Sequence, residues 1–423
     1  MPTESLLRSS PLRLAVLAAS AALAPAAHGQ TDDASPFYVG GSLGASHVSN
    51  VYRQADATNS DTVTSIGLLA GVDKRLGRQR LTLDGSLHDN RYATNSDLNN
   101  RSHSIRGALN WETVGNLSGV LSARSDRSLA DFNIGSGVDP IRQKNIESVE
   151  EYQAIARLGV ATRYTLEGGW THRQRSFTAV QYDRFTYRQD TASLGVYATP
   201  AGNVRLGLVA RHTKGNNPRY PVGIAFDPNT LQPIIDPATQ YPVLINEQND
   251  YTRDDIDFTT RWSTGGSSTL NTRISRSRTK NSLAQLGDFS GTTGAIGWSW
   301  RPTGKLQLDA QYARDTGQET MVRTADLNRV YTSWQLGASY ALTSKVSASA
   351  RVSSNRARRT RDSGIVDPYA LDDTTLYNIG VRWAISRGFS LGCQYDRASR
   401  DSSVPQYVYN ASSYGCTGQA LFF

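Results

Sequence analysis

The sequence predicts an all-β fold: a transmembrane antiparallel up-and-down β-barrel of about 18 strands, with short periplasmic turns and long extracellular loops. Three observations predict it. The chain opens with an export signal. No later stretch is long and apolar enough for a membrane helix. Short segments of alternating apolar and polar residues, joined by tight turns, then repeat through residues 30–423. A chain that crosses a bilayer must satisfy its own backbone hydrogen bonds, so a closed sheet is the one alternative to helices.

Arg8 and Arg13 precede an apolar run from Leu14 to Ala27, and Ala27-His28-Gly29 supplies small residues for cleavage before Gln30. The run is too short to span a bilayer as a helix. Residues 1–29 therefore read as a signal peptide and residues 30–423 as the barrel. No cysteine stands near the cleavage point to carry a lipid anchor. Loss of Arg8, Arg13 and Glu4 takes the formal charge from +8 to +7. Mean hydropathy is −0.46. The 36 Gly, 20 Tyr and 7 Trp against 2 Met favour strands, and 2 Cys exclude a disulfide scaffold.

The elements follow in order. A single strand, Phe37–Val48, opens the barrel. The first hairpin carries Ile66, Leu68, Ala70 and Val72 on one face, turns at Leu76-Gly77-Arg78, and returns through Leu81, Leu83, Gly85 and Leu87. The second uses Ile105, Leu109 and Trp111, turns near Gly115-Asn116, and returns through Leu117, Gly119, Leu121 and Ala123. The third uses Ala154, Ala156, Leu158 and Val160, turns at Thr162-Arg163, and returns through Leu166, Gly168 and Trp170. The fourth uses Leu194, Val196 and Ala198, turns at Pro200-Ala201-Gly202, and returns through Val204, Leu206, Leu208 and Ala210.

In the fifth, Ile256, Phe258, Thr260 and Trp262 lead to a turn at 264–267, then Leu270, Thr272 and Ile274. The sixth joins Ile296, Trp298 and Trp300 through Pro302-Thr303-Gly304 to Leu306, Leu308, Ala310 and Tyr312. The seventh joins Trp334, Leu336, Ala338, Tyr340 and Leu342 through Thr343-Ser344-Lys345 to Val346, Ala348, Ala350 and Val352. The eighth joins Tyr377, Ile379, Val381, Trp383 and Ile385 through 386–388 to Phe389 and Leu391. A closing strand spans 407–423 and ends Leu421-Phe422-Phe423.

Eight hairpins and two flanking strands give about 18, with 16 the neighbouring even number. Trp111, Trp170, Trp262, Trp298, Trp300 and Trp383 lie near short turns, as a headgroup-level girdle requires. The proline-rich stretch from Gly215 to Asn249 is the longest expected connection, a constriction or a lid, and Asp126–Ser148 is a second candidate.

Parity places Arg106, Arg124, Arg157, Arg173, Arg211, Arg261, Arg273, Arg351 and Arg382 on the inward face, as lumen-lining basic candidates. On the lipid face each would cost about 2–4 kcal/mol at the midplane. Asp73, Asp84, Glu112, Glu167, Asp257 and Asp309 share that inward side. The charges are either a self-neutralising ladder that props the wall or a net-basic passage that attracts anionic solutes.

Other motifs carry little. Gly40-Gly41-Ser42-Leu43-Gly44 matches a nucleophile elbow but lies inside a strand, without the strand–turn–helix setting such a serine needs. His47, His88, His103, His172 and His212 have no metal-ligand spacing and read as rim or lumen residues. No catalytic residue, metal or cofactor is expected. Cys393 and Cys416 fall on the last two strands, where a cross-strand bridge and two free thiols are both open. The sequence pI of 9.4 does not imply nucleic acid, because the cations are spread along every strand.

Several stretches resemble a known group: Ser49-Asn50-Val51-Tyr52-Arg53, Gly77-Arg78-Gln79-Arg80-Leu81, the segment from Gly107 to Phe132, and Tyr414-Gly415-Cys416. They are similar to the EpsL-like outer-membrane β-barrels of exopolysaccharide operons, within the broader barrel-porin class. The end, Ala420 to Phe423, departs from the more polar tail expected there. The resemblance implies a non-enzymatic outer-membrane channel component for export or assembly of an acidic exopolysaccharide. Its partners would be outer-membrane lipid, the polysaccharide and periplasmic export machinery. A general diffusion porin for small solutes and a plugged barrel that docks periplasmic proteins are the alternatives.

Overall fold

The computed structural model describes residues 35–55, 59–133, 141–159, 162–237, 242–316, 329–359 and 372–423, so the expected signal peptide at 1–29 lies outside the described residues. Eighteen strands follow in chain order. They are β1 (Phe37–Val48), β2 (Asp61–Leu76), β3 (Gln79–Tyr92), β4 (Asn100–Glu112), β5 (Leu117–Leu129), β6 (Ile146–Leu158), β7 (Tyr164–Phe177), β8 (Tyr187–Ala201) and β9 (Val204–Ile224). The second half comprises β10 (Leu244–Thr264), β11 (Ser268–Asn281), β12 (Phe289–Trp300), β13 (Leu306–Thr316), β14 (Arg329–Ala341), β15 (Val346–Arg359), β16 (Asp372–Ala384), β17 (Phe389–Ser402) and β18 (Tyr409–Phe422).

Every strand pairs antiparallel with its chain neighbours, and β1 also pairs with β18 from Val39↔Phe422 to Val48↔Ser413. The sheet therefore closes and leaves no free edge. The opening strand and the tight turns fall where the alternation predicts them, except that the fourth turn sits at Gly202-Asn203 because β8 runs on through Pro200 to Ala201; Val160, expected on the third hairpin, lies outside the described residues. Both chain ends and the tight turns share one rim, the periplasmic one, and the longer connections share the other. Among the described residues no helix is long and apolar enough to cross a membrane.

The outer face shows why the alternation exists. Leu43, Ile66, Leu68, Leu194, Ile256, Ile274 and Ile379 project fully from the barrel, Leu68 at 67% exposure. Such side chains form a continuous apolar band that only lipid can cover. Trp298 and Trp300 stack at 5.4 Å near the periplasmic rim, and the Trp298 indole N–H donates to Ser268 Oγ at 2.8 Å. A closed barrel with this exterior belongs in the outer membrane of a Gram-negative cell.

The abundance of Gly and Tyr has a structural reason on the inner face. Tyr38 stands opposite Gly71 and Tyr251 opposite Gly215. In each pair the ring lies across the glycine, and a methyl group there would collide with it. The tyrosine thus covers backbone that the glycine leaves bare.

The proline-rich segment corrects an expectation. The described residues of Gly215–Asn249 are mostly strand and not the irregular connection expected, while 238–241 lie outside the described residues. β9 and β10, 21 residues each, continue as a paired ribbon from Trp262↔Val204 to Leu244↔Ile224. Register shifts at Ile245/Asn246 and Glu247/Asn249 sit opposite the Pro218–Pro221 stretch, where missing N–H donors interrupt the ladder. The ribbon goes on through the bridges Phe226↔Pro233 and Ile235↔Pro242. At the second candidate loop, β5 and β6 take residues up to Leu129 and from Ile146, leaving 130–145 as the connection.

Candidate functional site

The inward face of the barrel divides by height. Arg106, Arg124, Arg157, Arg173, Arg211, Arg261, Arg273, Arg351 and Arg382 all project inward, each opposite in parity to lipid-facing neighbours such as Ile105, Leu121, Leu158, Trp170, Leu208, Phe258, Ile274, Ile379 and Val381. Five of them meet carboxylates. Arg157 Nε donates to Glu167 at 2.6 Å, Arg173 to Glu151 at 3.0 Å, Arg211 to Asp257 at 2.6 Å and Arg273 to Asp315 at 2.6 Å, while Arg124 pairs with Asp126. Arg106, Arg261, Arg351 and Arg382 form no ion pair with a described residue.

Arg261, Arg351 and Arg382 lie in the periplasmic half, where the wall is wet, and Arg106 stands at the middle of β4. Ser347, Ser349 and Arg351 face inward and are nevertheless exposed. Their carboxylate neighbours have neutral partners: Asp84 accepts from Tyr38 at 2.9 Å, Asp309 from Gln307 at 3.1 Å, and Asp396 from Asn378 at 2.6 Å. Nearest the turns, Arg80 makes a two-pronged pair with Asp73 at 2.8 and 2.6 Å, both groups about half exposed.

The extracellular half is dry. Arg253 is 0% exposed. It donates to Asp255 at 2.8 Å, to Ser277 Oγ at 3.2 Å and to Thr316. Arg211 reaches the same Asp255 at 3.5 Å. Arg175 and Glu147 pair at 3.0 Å, again buried. Charges removed from water persist when paired, and each of these guanidiniums meets a carboxylate.

Above this layer the connections fold over the mouth. Leu98, Leu129, Phe132 and Ile146 pack with Val51, Tyr52, Val63 and Tyr92. A second cluster joins Ala130, Ile141, Phe177, Ala179, Tyr182 and Phe185. Asn133, from the β5–β6 connection, reaches the opposite side of this cap. Its amide donates to Arg53 O at 2.9 Å and Tyr407 O at 3.2 Å, and Arg400 donates to Asn133 O at 3.2 Å. Arg53 pairs with Asp131 at 3.3 Å, and Arg400 pairs with Asp372 at 2.5 Å. Five strands, β18 and β1 to β4, lie between β17 and β5 around the barrel, so this crossing spans a chord of the mouth. Asp183, in the short 3-10 turn Val180–Phe185, is fully buried at 3.1 Å from Arg219. Burial pushes its carboxyl up to about 6 against the opposing pull of Arg219.

Several of these residues escaped the sequence reading. Arg175, Arg253 and Arg400 share inward parity with the arginines singled out from sequence, so the same pattern could have found them. Asn133 carries no such signal, because its role depends on how a connection folds. Of the histidines read as rim or lumen residues, His47, His103, His172 and His212 sit on the outer face instead. His172 contacts Asp190 at 2.9 Å and His212 contacts Asp254 at 2.6 Å. Cys393 and Cys416 stand directly opposite on β17 and β18 and are joined by a disulfide on the lipid-facing side. Ser42 of the glycine-rich motif lies mid-strand, paired with Gly67 and Gln419. Among the described residues no group of side chains could hold a metal ion.

No protein-family model matches the sequence, and no curated protein matches it significantly. Solved structures do. The outer membrane protein OpdK of Pseudomonas aeruginosa aligns over 91% of this chain and 99% of its own, at 10% identity and a TM-score of 0.45. OccK2 (OpdF) of Pseudomonas aeruginosa, in complex with glucuronate, aligns over 92% and 98% at 11% identity and 0.46. OccK9 (OpdG) of the same organism aligns over 91% and 97% at 15% identity and 0.45. Likeness of this degree is one of barrel architecture.

Proposed function

We propose that this barrel is a diffusion channel for small hydrophilic solutes across the outer membrane, with a weak preference for anions. The observation that carries this reading is the wet periplasmic half, where inward-facing Ser347, Ser349 and Arg351 meet water instead of packed protein. The unpaired Arg106, Arg261, Arg351 and Arg382 tip its field toward anions, and the uncompensated Asp84, Asp309 and Asp396 keep the bias small. Asn133 and its partners narrow the mouth, which suits small molecules better than a bulky polymer. In this reading residues 1–29 are a cleaved export signal and no chemistry is performed.

Export of an acidic exopolysaccharide, the role implied by the EpsL-like resemblance, would use the same arginines to touch sugar hydroxyls and carboxylates. The comparisons lend that role no support. Planar-bilayer recording and liposome swelling separate the readings. A channel gives steady conductance, a modest anion-directed reversal potential, and swelling rates that fall with sugar size. Negligible conductance with no monosaccharide uptake overturns it and favours a plugged docking barrel. Loss of surface polymer on deletion, with no change in solute uptake, favours the export role.

A further inference from the structure

The outer face of β8–β13 carries a charge pattern that a channel does not need. Just extracellular of the lipid-facing Leu194, Leu208, Ile256, Ile274 and Tyr312, the same faces present Arg188, Lys214, Arg276, Arg278, Lys280 and Arg314, all exposed. Strand register sets them in rows. One row runs Asp190–Lys214–Thr252–Lys280 and the next Arg188–Asn216–Asp250–Ser282. Together they line an open cleft of about 500 Å³.

Four carboxylates border the patch, Asp190, Asp250, Asp254 and Asp288; Asp190 is engaged by His172, Asp254 by His212, and Asp288 accepts from Asn281 N–H at 3.1 Å. Lys214, Arg278, Lys280 and Arg314 form no ion pair with a described residue. Outward cations also occur elsewhere, at Arg91, Arg101, Arg127, Arg356 and Arg397, but Arg91 and Arg356 are paired with Asp89 and Asp373, and the densest group is the one on β8–β13. At the same height on β18, β1 and β2 the outer face offers Asn410, Ser412, His47, Thr62 and Thr64, with no Lys or Arg among them.

On β11 the contrast is sharpest. Arg276, Arg278 and Lys280 point out and are exposed, while Ser275, Ser277 and Thr279 between them point in and are buried. The cations therefore stand in the layer where lipid tails give way to headgroups. The anions of that layer in an outer membrane are phosphates on a glycolipid. Arginine and lysine at the surface attract such groups, and a cleft with Thr, Asn and Ser hydroxyl and amide groups adds hydrogen bonds to sugar.

We propose that this face binds the phosphorylated headgroup of the outer-leaflet glycolipid, lipopolysaccharide, with Lys214, Arg278 and Lys280 as its principal phosphate contacts. The proposal depends on the membrane location and not on what passes through the lumen.

The test uses the full mature barrel extracted in mild detergent, delipidated, and mixed with lipopolysaccharide, with its enzymatically dephosphorylated form, or with inorganic phosphate. Bound glycolipid is read by native mass spectrometry. The wild type should hold lipopolysaccharide at least roughly tenfold more tightly than the dephosphorylated form. The variant K214Q/R278Q/K280Q should lose that difference while keeping heat-modifiable migration and channel conductance. Equal binding of both glycolipid forms by the wild type overturns the proposal, and that comparison needs no variant to fold. Undiminished lipopolysaccharide binding by the folded triple variant also overturns it. Inorganic phosphate that competes at the concentration of the glycolipid phosphate would show a free-anion site and overturn the lipid assignment.

Discussion

The two halves of the barrel interior use the same residue types to opposite ends. In the extracellular half, arginine and aspartate are sealed: Arg253, Asp255 and Asp257 are almost wholly removed from water and satisfy one another with Arg211. In the periplasmic half, Arg80 and Asp73 pair in the open, and Arg351 is exposed with no ion pair to a described residue. An ion pair is worth what its surroundings allow. A sealed pair is costly to break because the abandoned charge has no solvent, whereas an exposed one is screened.

This contrast can be broken from its strongest point downward. Asp255→Ala should destabilise the barrel by about 3–5 kcal/mol, because the buried Arg253 and Arg211 guanidiniums both lose a carboxylate partner. Asp73→Ala should cost no more than about 1 kcal/mol. Urea midpoints in lipid vesicles, followed by gel mobility with and without heating, measure both, and equal losses would refute the division. Asn133→Ala should cost about 1–3 kcal/mol by leaving cap groups unsatisfied. It should also raise single-channel conductance, since the crossing of the mouth is untied.

Arg351→Glu combined with Arg382→Glu should leave the urea midpoint within about 0.5 kcal/mol of wild type while turning the reversal potential toward cations. Unchanged selectivity would mean that ions do not pass this wall. The smallest effect is a pH dependence at the mouth. The buried Asp183 carboxyl has its folded pKa raised from 3.8 to about 6, so the folded state holds its proton more tightly than the unfolded state. Its contribution is favourable at low pH and is lost as pH rises from 3.8 to about 6. Asp183→Asn should flatten the stability profile across that window, as measured by urea midpoints at stepped pH.

The wall was legible in the sequence because a strand of period two, facing lipid on one side and water on the other, writes its register directly into residue order. Ile66, Leu68 and Ala70 alternate with Gly67, Leu69 and Gly71, and the inward parity of all nine arginines follows from that pattern alone. Which arginine is sealed and which is wet was not legible. That depends on what covers the lumen, and Arg253 and Arg351 have the same parity and opposite fates. The mouth was hidden for a related reason: Asn133 meets Tyr407 and Arg400 across hundreds of residues, and no local periodicity encodes such a meeting. The Gly215–Asn249 stretch misled because six prolines suggest a loop, yet most of them fall where the ribbon shifts register or beyond its last regular pair.

The long ribbon of β9 and β10 has a consequence for how the cell surface is encountered. Twenty-one residues extend roughly 70 Å at about 3.3 Å each, against an apolar band only about 25 Å tall, and strand tilt absorbs only part of the difference. The outer part of the hairpin stands clear of the bilayer like a mast. A large particle that arrives from outside meets this ribbon before it meets the pore. Residues 225–237, which continue the ribbon outward, are therefore the place to insert a foreign epitope for display.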